Sequence, residues 1–231
     1  VTISEVVPDP AGITLSQTTL SVGEDGTSDS YTVVLESKPA AAVTIDLVAP
    51  NNQITLSPAS ITFQPTTWNQ AQHITVQAVD DQIAEGTHSS TILHSVSSSD
   101  SAYDGFELAD VTATIADNDT AGVSIKPTSL RATEGGDSVY YQVLLTSQPR
   151  DNVSILIVSD AQLDVTPQAL TFTPANWNRA QLVTVNAVNE GVKEGLHQST
   201  ISHQATSDDA TYQGIGIAKV AVLITDAIDC Y

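Results

Sequence analysis

The sequence predicts an all-β chain built as two tandem seven-stranded antiparallel β-sandwiches, head to tail. Three observations carry this. The chain repeats itself, its apolar residues alternate with period two, and turn-forming clusters punctuate it at short intervals. The duplication is the strongest. "LTFTPANWNRAQLVTVNAV" at 170–188 restates "ITFQPTTWNQAQHITVQAV" at 61–79. Trp68 and Trp177, Glu85 and Glu194, His88 and His197, His94 and His203, and Tyr103 and Tyr212 are each 109 residues apart. Earlier landmarks, Glu24 with Glu134 and Pro39 with Pro149, are 110 apart, so one residue is lost between Val48 and Gln53 of the first copy. Residues 11–119 form the first repeat and 120–231 the second. Residues 1–10, "VTISEVVPDP", resemble the repeat end "ATIADND" and read as an N-terminal strand or the tail of a preceding repeat.

Each strand follows from its residues. In the first repeat we place strand A at 13–21, B at 30–36, C at 43–48, D at 53–63 with a kink at Pro58, E at 72–79, F at 89–97 and G at 109–116. "YTVVL", "VTIDLV", "HITVQAV" and "VTATIA" are rich in Val, Ile and Thr, which fit a pleated, half-buried surface. "GEDGTSD", "SKPAA", "PTTWN", "DDQIAEG" and "SSSDSAYDG" separate them with Gly, Pro, Asp and Ser, residues that favour turns. No segment sustains a helical stripe. Seven short strands in about 100 residues suit a sandwich.

Composition narrows function. Seven Lys and Arg face 27 Asp and Glu, for a net charge of -20 and a pI near 4.1. That balance excludes nucleic acid as a partner and argues against anionic membranes. No run is long enough for a transmembrane helix, so no membrane insertion is expected. The single cysteine, Cys230, allows neither an internal disulfide nor a cysteine-based zinc site. The chain starts at Val1 without Met and is expected to be a piece of a longer protein.

Strand direction gathers the acidic residues. If A, C, E and G run one way and B, D and F return, the A–B, C–D and E–F loops and the exit of G share one end. That end collects Glu24, Gln53, Asp80, Asp81, Glu85, Asp117 and Asp119, with no Lys or Arg in these loops of the first repeat. Carboxylates so placed repel one another unless a cation intervenes. Calcium accepts six to eight oxygen ligands of mixed kind, which makes Ca2+ the expected cofactor. Trp68 and Tyr103 fall at the opposite end and are expected to pack there.

With "VGEDG", "ITVQAVDDQIAEG" and "ATIADNDTAG" in place, each repeat resembles the Calx-beta domain nearly end to end, above all in its bacterial repeat arrays. The resemblance implies an immunoglobulin-like sandwich that binds calcium. It assigns calcium roles to Glu24, Asp80, Asp81, Ile83 (through its carbonyl), Glu85, Asp117, Asn118 and Asp119. Gln53 stands where calcium-rich members have Asp, and His88 where a further acidic residue can occur, so one or two ions are expected. The second repeat keeps Glu134, Glu190, Glu194 and Asp226. It has Asn189 for Asp80, Ala227 for Asn118 and Ile228 for Asp119, so a weaker second site is expected.

The repeated histidines read as hydrogen-bonded structural residues, because no Cys or second His sits at ligand spacing. No HExxH, GxSxG or activated cysteine is present, and no enzymatic activity is expected. The expected role is a calcium-binding module pair in a secreted or cell-surface protein, with calcium stiffening the junction between repeats. Expected partners are calcium ions and neighbouring repeats. The alternative is a calcium-independent adhesion or spacer module binding surface proteins or glycans.

Overall fold

The computed structural model describes residues 10–227. The segment 1–9, where an N-terminal strand or repeat tail was expected, lies outside the described residues, as do Ile228 and Cys230. The described chain is all-β, without helices, and forms two compact units: one holds the residues up to Asp81 with Glu85–Asn118, the other Gln82–Ala84 with the residues from Asp119 onward. No helix among the described residues is long and apolar enough to cross a membrane.

The first unit contains β1 (Ile13–Leu15), β2 (Thr19–Gly23), β3 (Ser28–Leu35), β4 (Val43–Val48), β5 (Ile54–Ser57), β6 (Ser60–Phe63), β7 (Gln72–Ala78), β8 (His88–Ser98) and β9 (Val111–Ala116). One sheet has the order β1-β3-β7-β5, the other β2-β9-β8-β4-β6. The second unit repeats this with β10 (Val123–Lys126), β11 (Ser129–Thr133), β12 (Val139–Leu145), β13 (Val153–Val158), β14 (Leu163–Thr166), β15 (Ala169–Phe172), β16 (Gln181–Ala187), β17 (His197–Ser207) and β18 (Val220–Thr225). Its sheets run β10-β12-β16-β14 and β11-β18-β17-β13-β15.

The seven expected strands are present in each unit, but two of them are divided. Strand A splits into β1, antiparallel to β3, and β2, parallel to β9. Because A and G run in the same direction, the half of A that changes sheet can pair with G only in parallel. The antiparallel expectation therefore has one exception per unit, the second being β11 beside β18. Strand D splits at Pro58, whose missing N–H ends the ladder. Its first half, β5, pairs with β7, and its second, β6, with β4. Both divided strands thus belong to both sheets.

Period-two alternation fills the space between the sheets. In β9, Val111, Ala113 and Ile115 are buried while Thr112, Thr114 and Ala116 face out. Tyr103 and Tyr212 close the far end. The Tyr103 hydroxyl donates to the Ser37 carbonyl at 2.7 Å and lies 2.9 Å from Ser37 Oγ. Tyr212 repeats this with Ser147 at 2.6 and 2.9 Å. Trp68 and Trp177 pack against their own cores, as expected of capping residues. A buried carbonyl left without its donor costs about 1–3 kcal/mol. We therefore predict that Tyr103→Phe and Tyr212→Phe each destabilise the chain by about that amount. Urea unfolding of each variant checks it, with an unchanged midpoint contradicting it.

Candidate metal-binding loop end

The parallel β2–β9 ladder places Glu24. Gly23 stands opposite Ala116, and the Glu24 amide then donates to the Ala116 carbonyl at 3.0 Å. This extra rung holds Glu24 beside the exit of β9, where its side chain is only 4% exposed. Neither carboxylate oxygen makes a hydrogen bond of ordinary geometry. Burial pushes the Glu24 carboxyl above its usual value, and the charges of Asp117 and Asp81 push it the same way. The nearby Asn118 amide opposes them without reversing the direction. A buried carboxylate so poorly hydrogen-bonded is costly unless it gains a proton or a cation.

The neighbouring loops are fastened around it. Asp117 Oδ2 accepts the amides of Glu85 and Gly86, both at 2.6 Å, which folds the loop after β7 over the exit of β9. Gly86 sits at φ +66°, a conformation that glycine adopts without strain. Asn118 Nδ2 donates to Asp80 Oδ1 at 3.1 Å, and Gln53 Nε2 to Glu85 Oε2 at 3.2 Å. Asn51 ties the β4–β5 loop to β8 by accepting from Ser90 Oγ at 2.6 Å and donating to the Ser89 carbonyl. Asp81 and Ile83 are half-buried in the loop after β7.

Two overlapping groups of potential ligands result. Glu24, Asp80 and Asp119 each offer a carboxylate oxygen within 4.8 Å of the others. Glu24, Glu85 and His88 meet by the same measure. Asp117, expected only as a ligand, also serves as the clamp of the loop.

The second unit keeps the frame with fewer charges. Glu134 is 3% exposed, donates its amide to the Thr225 carbonyl at 3.0 Å, and leaves Oε1 without a hydrogen-bond partner. Asp226 takes the role of Asp117, accepting the amides of Glu194 and Gly195 at 3.2 and 3.0 Å. Gln162, the counterpart of Gln53, bridges Glu190 Oε1 and Glu194 Oε2 at 3.1 Å each. Glu134, Glu194 and His197 lie within 4.8 Å of one another. Among the described residues no all-carboxylate group matches Glu24–Asp80–Asp119 here. Asn189 replaces Asp80, and Ile228 lies outside the described residues.

The histidines divide into two kinds. His94 and His203 are structural, as expected. Their Nε2 atoms meet the Tyr31 and Tyr141 hydroxyls at 2.9 Å, and burial lowers both imidazole pKa values. His88 and His197 differ: Nδ1 meets the carbonyls of Gly86 and Gly195, while Nε2 faces Glu85 and Glu194. They too are hydrogen-bonded, as expected, and each also lies beside a glutamate three residues earlier in the chain. Gln162 was missed, although its spacing of 109 from Gln53 marks it.

No protein-family model matches the chain, and no curated protein matches it in sequence. Solved structures resemble it at low identity. CBD12 from CALX1.2 is 13% identical with a TM-score of 0.40, over 92% of this chain and 99% of that one. The calcium binding domain CBD12 of CALX1.1 is 14% identical with a TM-score of 0.40 over the same shares. A protein of unknown function from Porphyromonas gingivalis W83 is 13% identical with a TM-score of 0.36, again over 92% and 99%.

The raised Glu24 carboxyl fixes a sign. The folded chain holds this proton more tightly than the unfolded chain, so its contribution to stability falls as pH rises above the ordinary 4.5 through the raised value. We predict that Glu24→Gln, in chelator at neutral pH, raises the thermal midpoint. It also flattens the fall in stability between the ordinary value and neutrality. Calorimetric scans across pH check both, and a lowered midpoint in chelator would contradict the burial argument.

Proposed function

We propose that the chain is a pair of calcium-binding β-sandwich modules, with its principal calcium site at the loop end of the first unit. The observation that carries this reading is the Glu24 carboxylate, buried without a hydrogen bond of ordinary geometry beside Asp80 and Asp119. Calcium is the natural counter-ion for such an oxygen-rich set, since it accepts carboxylates, amide oxygens and backbone carbonyls in a flexible shell. Glu24, Asp80, Asp81, Glu85 and Asp119 are its principal ligands, with Ile83, Gln53 and Asn118 able to complete the shell through their carbonyl oxygens. Asp117 holds the loop and contributes charge. The second unit, with Glu134, Glu190, Glu194 and Asp226 but fewer carboxylates overall, binds calcium more weakly.

The module pair acts in a secreted or cell-surface protein, and calcium stiffens the junction. Only residues 117–122 separate β9 from β10, so charge neutralised at the exit of β9 acts on the connection itself. This role is non-enzymatic.

Calorimetric titration of the chelator-stripped chain tests the site. We expect saturable calcium heat in the wild type and none from the first unit in an Asp80→Ala/Asp81→Ala variant. At calcium a hundred times its dissociation constant, stability rises by about 2.7 kcal/mol. Absence of heat at millimolar calcium would leave the sandwiches standing and favour the calcium-independent adhesion module. For the junction, small-angle scattering is expected to show less interdomain flexibility with calcium than with chelator. Identical curves would refute the stiffening.

A further inference from the structure

His88 and His197 occupy the same place in the two units, three residues after Glu85 and Glu194. In each, Nδ1 lies 2.9 or 3.0 Å from the carbonyl oxygen of the glycine two residues before it. A carbonyl only accepts, so Nδ1 carries a proton, and in the neutral ring Nε2 presents its lone pair. That Nε2 is buried without a hydrogen-bond partner in both units. It stands 3.4 Å from Glu85 Oε2 in the first and 3.5 Å from Glu194 Oε2 in the second. Imidazole and carboxylate lone pairs so close repel unless a cation is shared between them.

The third member points the same way. Glu24 and Glu134 are 4% and 3% exposed, and each has at least one buried carboxylate oxygen without a hydrogen-bond partner. The three ligand atoms of each set lie within 4.8 Å of one another. Calcium is a hard ion that selects oxygen, and imidazole suits zinc, copper, nickel and iron instead. Metal-bound histidines characteristically donate their second ring N–H to a carbonyl or carboxylate, which is the role Gly86 and Gly195 fill. Two ligands about 2.1 Å from a tetrahedral zinc stand roughly 3.4 Å apart, close to the spacing of each imidazole from its neighbouring glutamate.

We propose that each unit carries a one-histidine, two-glutamate site for a zinc-like transition-metal dication. The ligands are Glu24, Glu85 and His88 in the first unit, and Glu134, Glu194 and His197 in the second. Water completes the shell. The proposal does not rest on the calcium reading. It requires the imidazole, and it survives in the second unit, where the carboxylate set is thinner.

The test titrates zinc ion into the full, chelator-stripped chain by calorimetry, with and without millimolar calcium. It also follows the ring nitrogens by long-range nitrogen–proton NMR. We expect two zinc ions per chain. The His88→Ala and His197→Ala variants each weaken one site by at least about tenfold, since even indirect supports of a metal site are worth that much. In the wild type, zinc moves the Nε2 resonances of both rings and leaves Nδ1 protonated. Calcium competes in the first unit far more than in the second. Unmoved Nε2 resonances at zinc excess, or full-strength binding in a variant carrying both His88→Ala and His197→Ala, would overturn the proposal, leaving the rings as partners of a proton. The NMR arm uses the wild type, so a misfolded variant cannot decide the result. Calcium heat unaffected by His197→Ala, together with zinc failure, condemns this proposal alone. Zinc binding without calcium heat condemns only the calcium reading.

Discussion

The arrangement of each loop end depends on one parallel ladder. When the second half of strand A leaves its antiparallel partner and runs beside strand G, it carries Glu24 or Glu134 to the exit of that strand. The backbone rung is inexpensive, but the side chain it delivers is a carboxylate in a place poor in donors. The fold thereby brings about an electrostatic debt at a fixed position, with the carboxylates of the neighbouring loops close around it. The same register in both units means that the debt is duplicated with the fold.

What differs between the units is how many further charges surround the common glutamate. In the first, Asp80, Asp81, Asp117 and Asp119 crowd the exit of β9. In the second, Asn189 stands for Asp80, while Gln162, like Gln53, turns a neutral amide to the glutamates. The loop clamp is nevertheless retained, with Asp226 gripping the same two amides as Asp117. The two units therefore share the clamp while differing in the charges around it.

Much of this was legible in the sequence because it rests on spacing. The interval of 109 aligned Glu85 with Glu194 and His88 with His197, and strand parity brought the acidic loops to one end. Val111, Ala113 and Ile115 declared their inward face by alternation alone. The sheet switch of strand A was not legible. Ser16, Gln17 and Thr18 have ordinary strand chemistry, and only the pairing with G reveals that the chain crosses there. The grouping of His88 with Glu24 was hidden for the same reason, since these residues are distant in sequence and meet only through that crossing. The double duty of Asp117 was hidden because a clamp and a ligand demand the same residue type.

The clamp itself has a kinetic meaning. Asp117 fastens the loop through backbone amides, so Glu85 and its neighbours are held near their final positions by the protein alone. On the proposed calcium reading, an arriving ion would have little chain to order and would lose mainly its own hydration. Association then runs close to the rate at which the ion sheds water, and release is governed by bond strength instead of by unfolding of the loop. On that calcium reading, a loop end built this way would behave as a rivet that is set once in a steady ionic surrounding, in contrast to a sensor whose loops reorganise with each passing pulse.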